Sequence, residues 1–160
     1  MRKTCLILAV LVFVVLLNIS RADDTTNVTS ILPEHQKVLA DAPRFRDVHV
    51  TTKLPLAVFS LCADSSGKLA EPGQKWQVTD VIIDVNLPRH RLIWAAMDEN
   101  YYVVHFESGG IAHSFEVMIV TMRPDTTKPT IIWQGYATHF LKDYPAFIRE
   151  MQASRLIGRP

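Results

Sequence analysis

The chain is short of the features that usually announce a function. It has two cysteines in 160 residues, Cys5 and Cys62. Seventeen Lys and Arg stand against 16 Asp and Glu, a net charge of +1. A balance that close supplies no basic field for nucleic acid or an anionic membrane, so neither is an expected partner. No Gly-rich phosphate loop, His-Glu-x-x-His, Cys-x-x-Cys or Gly-x-Ser-x-Gly occurs, which removes the commonest phosphate, zinc, redox and serine-hydrolase signatures. There is no repeat of 20–50 residues and no low-complexity tract. The longest apolar run is about 14 residues, short of the roughly 20 that span a bilayer.

That run is the clearest signal present. Arg2 and Lys3 precede it, Thr4 to Asn18 carry it, and Ser20-Arg21-Ala22 places small residues at −3 and −1 before Asp23. A charged start, a short apolar middle and a small-residue cleavage site form a secretory signal over residues 1–22. The expected location is therefore secreted or periplasmic, without stable membrane insertion after cleavage. Cleavage removes Cys5 and three of the 17 basic residues, so the mature charge is 14 minus 16, or −2. Residues 23–30 read as a flexible polar leader, in which Asn27-Val28-Thr29 fits a glycosylation acceptor in a eukaryotic host. Residues 31–160 read as one globular α+β domain. Cys62 is then alone, cannot form an internal disulfide, and reads as a small buried hydrophobe.

The β signal starts near position 48. Runs rich in Val, Ile and aromatics cover Val48–Thr52, Leu56–Ala63, Trp76–Val85, Arg91–Met97, Tyr101–Glu107, Ile111–Met122 and Thr130–Thr138. Turn residues separate them, and the connections are short from Trp76 onward. Short links favour antiparallel neighbours, because a parallel crossover needs a dozen or more residues. The expected fold is an antiparallel β-meander of six to seven strands with a C-terminal helix packed on the sheet. A short N-terminal helix is expected after Ser30, with Pro33 near its start and Pro43 beyond its end. For the C-terminal helix, Asp143 is the expected cap and Pro145 lies in the first turn. Gly158 is read just past its end. Leu141, Tyr144, Ile148 and Met151 recur at helical spacing, with Arg149, Glu150 and Gln152 pointing away.

A two-residue turn at Gly109-Gly110 would set Phe106 opposite His113, Val104 opposite Phe115 and Tyr102 opposite Val117. A three-residue turn at Asp98–Asn100 would set Leu92 opposite Phe106, Trp94 opposite Val104 and Ala96 opposite Tyr102. Leu92, Trp94, Tyr102, Val104, Phe106, Phe115 and Val117 then share a core face. The other face would mix apolar and polar groups, and Tyr101, Val103, His105, Glu107, Glu116 and Met118 are the candidate binding residues on it. In that register His105 and Ser114 are cross-strand neighbours with Glu116 two residues away, which makes His105, Ser114 and Glu116 the candidate catalytic set. Against it stand the flat strands and the lack of a strained nucleophile turn or oxyanion donors. His105 and His113 point to opposite faces, which argues against a metal site, and no cofactor is expected. His139 and Asp143 are four apart and could meet on one helical turn. Asp80 and Asp84 share a strand face with Ile82 between them. The leading functional reading is an exported binding or accessory domain, inhibitor-like, with a protein or small-molecule ligand of undetermined identity and a homodimer open. The alternatives are a hydrolase using His105 with Ser114 or Glu116, and a carrier holding a small apolar ligand between sheet and helix.

Overall fold

Neighbouring β-prone runs joined by short turns pair with each other in space, and six strands of this chain do so in order. The structure is a computed structural model describing residues 30–159. The signal, Asn27 and the leader up to position 29 lie outside those residues. Strands β1 (Arg46–Val48), β2 (His90–Met97), β3 (Tyr101–Ser108), β4 (Ser114–Thr121), β5 (Thr130–Ala137) and β6 (Ile157–Gly158) form one sheet in sequence order. Every pairing in it is antiparallel. Among the described residues three α-helices complete the α+β architecture: α1 (Pro33–Leu39), α2 (Leu56–Cys62) and α3 (Tyr144–Gln152).

Helices cover both faces of the sheet. On one, Leu39 of α1 and Tyr144, Phe147, Ile148 and Met151 of α3 pack with Trp94, Val103, Val117, Ile119 and Trp133. On the other, Val58 and Cys62 of α2 pack with Leu92, Tyr102, Val104, Phe106, Met118 and Val120. The residues expected on one mixed face are therefore divided between two covered faces. Two backbone details explain why. The β3–β4 loop has five residues, Gly109–His113, so Tyr102 pairs with Val120, Val104 with Met118 and Phe106 with Glu116. That register is three residues away from the two-residue turn, and an odd shift inverts one strand against the other. In β2, Leu92 does face Phe106, but a bulge follows and Trp94 pairs with His105. The extra residue turns the strand over, sending Leu92 to the α2 side and Trp94 to the α3 side.

Other expectations are corrected as well. Leu56–Cys62 is a helix, its buried Val58 and Cys62 four residues apart; a short apolar run does not distinguish helix from strand by periodicity. Trp76–Val85 joins no named strand and makes only the isolated bridge Thr79↔Gly110. Ser30 does not cap α1, whose N-cap is Leu32. Asp143 caps α3 as expected, its side chain accepting from the Ala146 N–H at 2.8 Å. The helix ends at Gln152, and Ser154 with φ 54° takes the left-handed position after it, while Gly158 belongs to β6. Glu150 does not point away but is covered by Arg155, which it binds through both carboxylate oxygens at 2.7 Å.

Candidate functional site

His105 is fully buried on the α3 side of the sheet. Its Nε2 accepts from the Leu141 backbone N–H at 3.2 Å, and its Nδ1 lies 2.8 Å from the Glu116 carbonyl oxygen. A backbone N–H can only donate and a carbonyl only accept, so the ring is neutral with its proton on Nδ1. Burial pushes its pKa down to about 4; the Glu116 carbonyl bond opposes that shift, and His139 adds to it. Trp94 Nε1 donates to the Leu141 carbonyl at 2.7 Å. Both backbone groups of Leu141 are thus held by side chains of the sheet, which docks the segment leading into α3. His105 is a structural hydrogen-bonder in this arrangement.

The candidate catalytic set does not assemble. His105 faces Val117 across the strands, while Ser114 faces Ser108. Glu116 sits opposite Phe106, on the other side of the sheet from His105, where it binds Arg159 at 2.9 Å. The candidate binding residues divide in the same way. Val103 is buried in the α3-side core and Met118 in the α2-side core. Glu107 is buried, accepting from Arg91 at 2.6 Å and lying 3.2 Å from His113 Nε2. Tyr101 is half-buried, its hydroxyl 2.9 Å from His35 Nδ1. His139 lies by Thr138 rather than Asp143. Cys62 is buried, and burial with Glu116 nearby pushes its thiol up to about 12, which keeps it protonated. Among the described residues no group of three or more His, Cys, Asp or Glu is gathered to hold a metal. No described helix is long and apolar enough to cross a membrane. Space between sheet and α3 is filled by Trp94, Phe147 and their neighbours; a cavity of about 200 Å³ opens at the far end of α3, lined by Trp133, Met151 and Leu156.

The surface that stands out is one the strand assignment hid. Between Gln77 and Pro88 the chain makes an excursion ahead of β2, and the Gln77 N–H donates to the Pro88 carbonyl at 2.8 Å to close the neck. Such a loop, with ends together and a side chain packed inside, is an Ω-loop. The packed side chain is Gln77, only 3% exposed. Its amide nitrogen donates to the carbonyls of Thr79 and Val81, and its oxygen accepts from the Ile83 N–H at 3.3 Å. With the polar backbone turned inward, the aliphatic side chains turn outward. Val81, Ile82, Ile83 and Val85 are 68%, 62%, 82% and 78% exposed. Ile111, 95% exposed, stands on the adjacent β3–β4 loop.

Both loops are fastened to the body. Gly110 N–H donates to the Val78 carbonyl and Gly109 N–H to the Arg89 carbonyl. Gly109 is required there, because a Cβ would overlap the backbone oxygens of Gln77 and Val78. At the other base, Asp64 accepts from the N–H of Arg89 at 2.6 Å and from Ser66 and Lys68. Burial raises the Asp64 pKa, and these bonds outweigh it and hold the carboxyl below its usual range. The sequence did signal this site, through two aspartates set among four aliphatics over 80–85 before Asn86-Leu87-Pro88. Their strand-like composition concealed it.

The chain matches no protein-family model, no curated protein and no solved structure.

Proposed function

We propose that this is an exported protein-binding domain, an accessory or inhibitor-like module, that meets its partner through the 77–88 loop. The observation that carries the reading is that a run of exposed aliphatic side chains sits on a backbone pinned from within by Gln77. Scattered exposed apolar residues need no explanation, but a contiguous patch marks a contact surface. Pinning supports the same reading, since a loop already held in place loses little entropy when it docks. A protein partner fits better than a catalytic role, because the candidate set His105, Ser114 and Glu116 is divided between the two sides of the sheet. Export is supported by Arg2-Lys3, the apolar run and Ser20-Arg21-Ala22.

Two measurements test it. Sequencing the N-terminus of protein recovered outside the cytoplasm should return Asp23; an intact apolar segment would refute export. A photo-cross-linking residue placed at Ile83 should give a discrete adduct in the native host. The same residue at Glu99, in the β2–β3 turn at the opposite end of the sheet, should not. Equal labelling from both positions, or none from Ile83, would refute the contact surface.

A further inference from the structure

We propose that the partner seated on this loop is a second copy of the chain, in a two-fold contact through the 77–88 loops; this rests on the loop being a contact surface. The first argument is area. Val81, Ile82, Ile83 and Val85 are each more than 60% exposed, an apolar patch on the order of a few hundred Å², the size that marks a contact surface and forms the apolar centre of an interface rather than all of it.

The second argument is charge. Asp80 and Asp84 stand among the aliphatics, and neither pairs with a basic side chain among the described residues. Lysines stand at the two bases of the same loop. Lys68 donates to the Asn86 carbonyl at 3.0 Å, and Lys75 precedes the buried Trp76. Neither lysine forms an ion pair among the described residues. One surface thus carries an apolar centre, acidic groups on the loop and unpaired basic groups at its bases. A two-fold axis that lays the two loops side by side in opposite directions sets the acidic groups of each against the basic groups of the other, so in that arrangement the patch is its own complement. A bilayer fits poorly: Asp80 and Asp84 would follow the aliphatics into the apolar layer, and the loop lacks the aromatic anchors of interfacial segments.

Sedimentation of the exported protein over a concentration series tests this. A monomer–dimer equilibrium is expected. Val81→Ser with Ile83→Ser should raise its dissociation constant by about 30-fold or more, as for central contact residues, with an unchanged melting curve at dilutions where both proteins are monomeric. The charge argument has its own arm. Asp80→Lys with Asp84→Lys, and separately Lys68→Asp with Lys75→Asp, should each weaken the dimer about tenfold, and mixing the two variants should restore it. A protein monomeric at several hundred micromolar, or a dimer indifferent to the serine pair, overturns the inference. So does a mixture no stronger than its parts. If the protein stays monomeric while Ile83 still cross-links one discrete other protein, the contact surface stands and the second copy falls. If neither dimer nor adduct forms, both fall.

Discussion

Strand β3 and the 77–88 loop draw on the same kinds of residue and put them in opposite places. In β3, Tyr102, Val103, Val104, His105 and Phe106 are all buried, although alternate side chains point to opposite faces. In the loop, Val81, Ile82, Ile83 and Val85 face solvent. The difference lies in what satisfies the backbone. β3 has a full ladder on each side, to β2 and β4, and helices over both faces. The loop has no ladder, and three of its backbone groups are satisfied by one amide, that of Gln77. Aliphatic composition indicates that a segment can be buried. Whether it is buried depends on neighbours that pair its backbone and cover its side chains.

Replacing core and loop residues in parallel is the strongest way to break that contrast. Phe106→Ala empties a fully enclosed site and should cost about 3–5 kcal/mol in denaturant unfolding. A loss below about 1 kcal/mol would mean that the α2-side core is not packed as described.

His105→Ala comes next. It leaves the Leu141 N–H and the Glu116 carbonyl without their side-chain partner in a dry place and should cost about 2–4 kcal/mol. The same ring gives a pH signature. Its folded pKa of about 4 is below its ordinary value of 6.5, so the unfolded chain binds the proton more readily in between. Stability from this group is complete above about 6.5 and is lost as pH falls toward 4, a change of about 3 kcal/mol. The stability difference between wild type and His105→Asn should shrink over that window. A constant difference would contradict the buried neutral ring.

Gln77→Ala should have a smaller global effect, about 1 kcal/mol, because solvent can reach the freed loop groups. Its main consequence should be local: faster amide exchange at Ile83 and proteolysis confined to 78–86. Exchange unchanged from wild type would remove Gln77 as the internal brace. The smallest effect is expected from Ile83→Ser, within about 0.5 kcal/mol of wild type when both are measured as dilute monomers. A larger loss would show that the loop belongs to the core after all, and the contrast with β3 would dissolve.

Much of the fold was legible in local terms. Connection lengths alone implied an antiparallel meander, since short links leave no room for crossovers. Asp143 before Tyr144-Pro145 announced the start of α3, because a carboxylate there satisfies a free N–H of the first turn. Cys62, isolated in an apolar run, was readable as buried. The candidate site was much less legible. Its residues were visible, but a Val- and Ile-rich run reads as a strand, and nothing local says that Gln77 would turn its amide into the loop. The His105, Ser114 and Glu116 grouping depended on the length of one hairpin loop. Gly109 and Gly110 suggested two residues, whereas Gly109 serves the close approach of Gln77 and Val78.

By itself, then, the sequence determined which segments are β-prone, where turns fall and where α3 begins, because propensity, capping and turn chemistry act over a few residues. Tertiary structure decided what those features mean together. The bulge after Leu92 and the five-residue loop at Gly109–His113 each displace a register, and in a strand every displacement by an odd number exchanges core for surface. Long-range packing likewise decided that Leu56–Cys62 would coil against the sheet and that Val81–Val85 would stay outside it. Those outcomes turn on contacts between residues far apart in the chain, which no local pattern encodes.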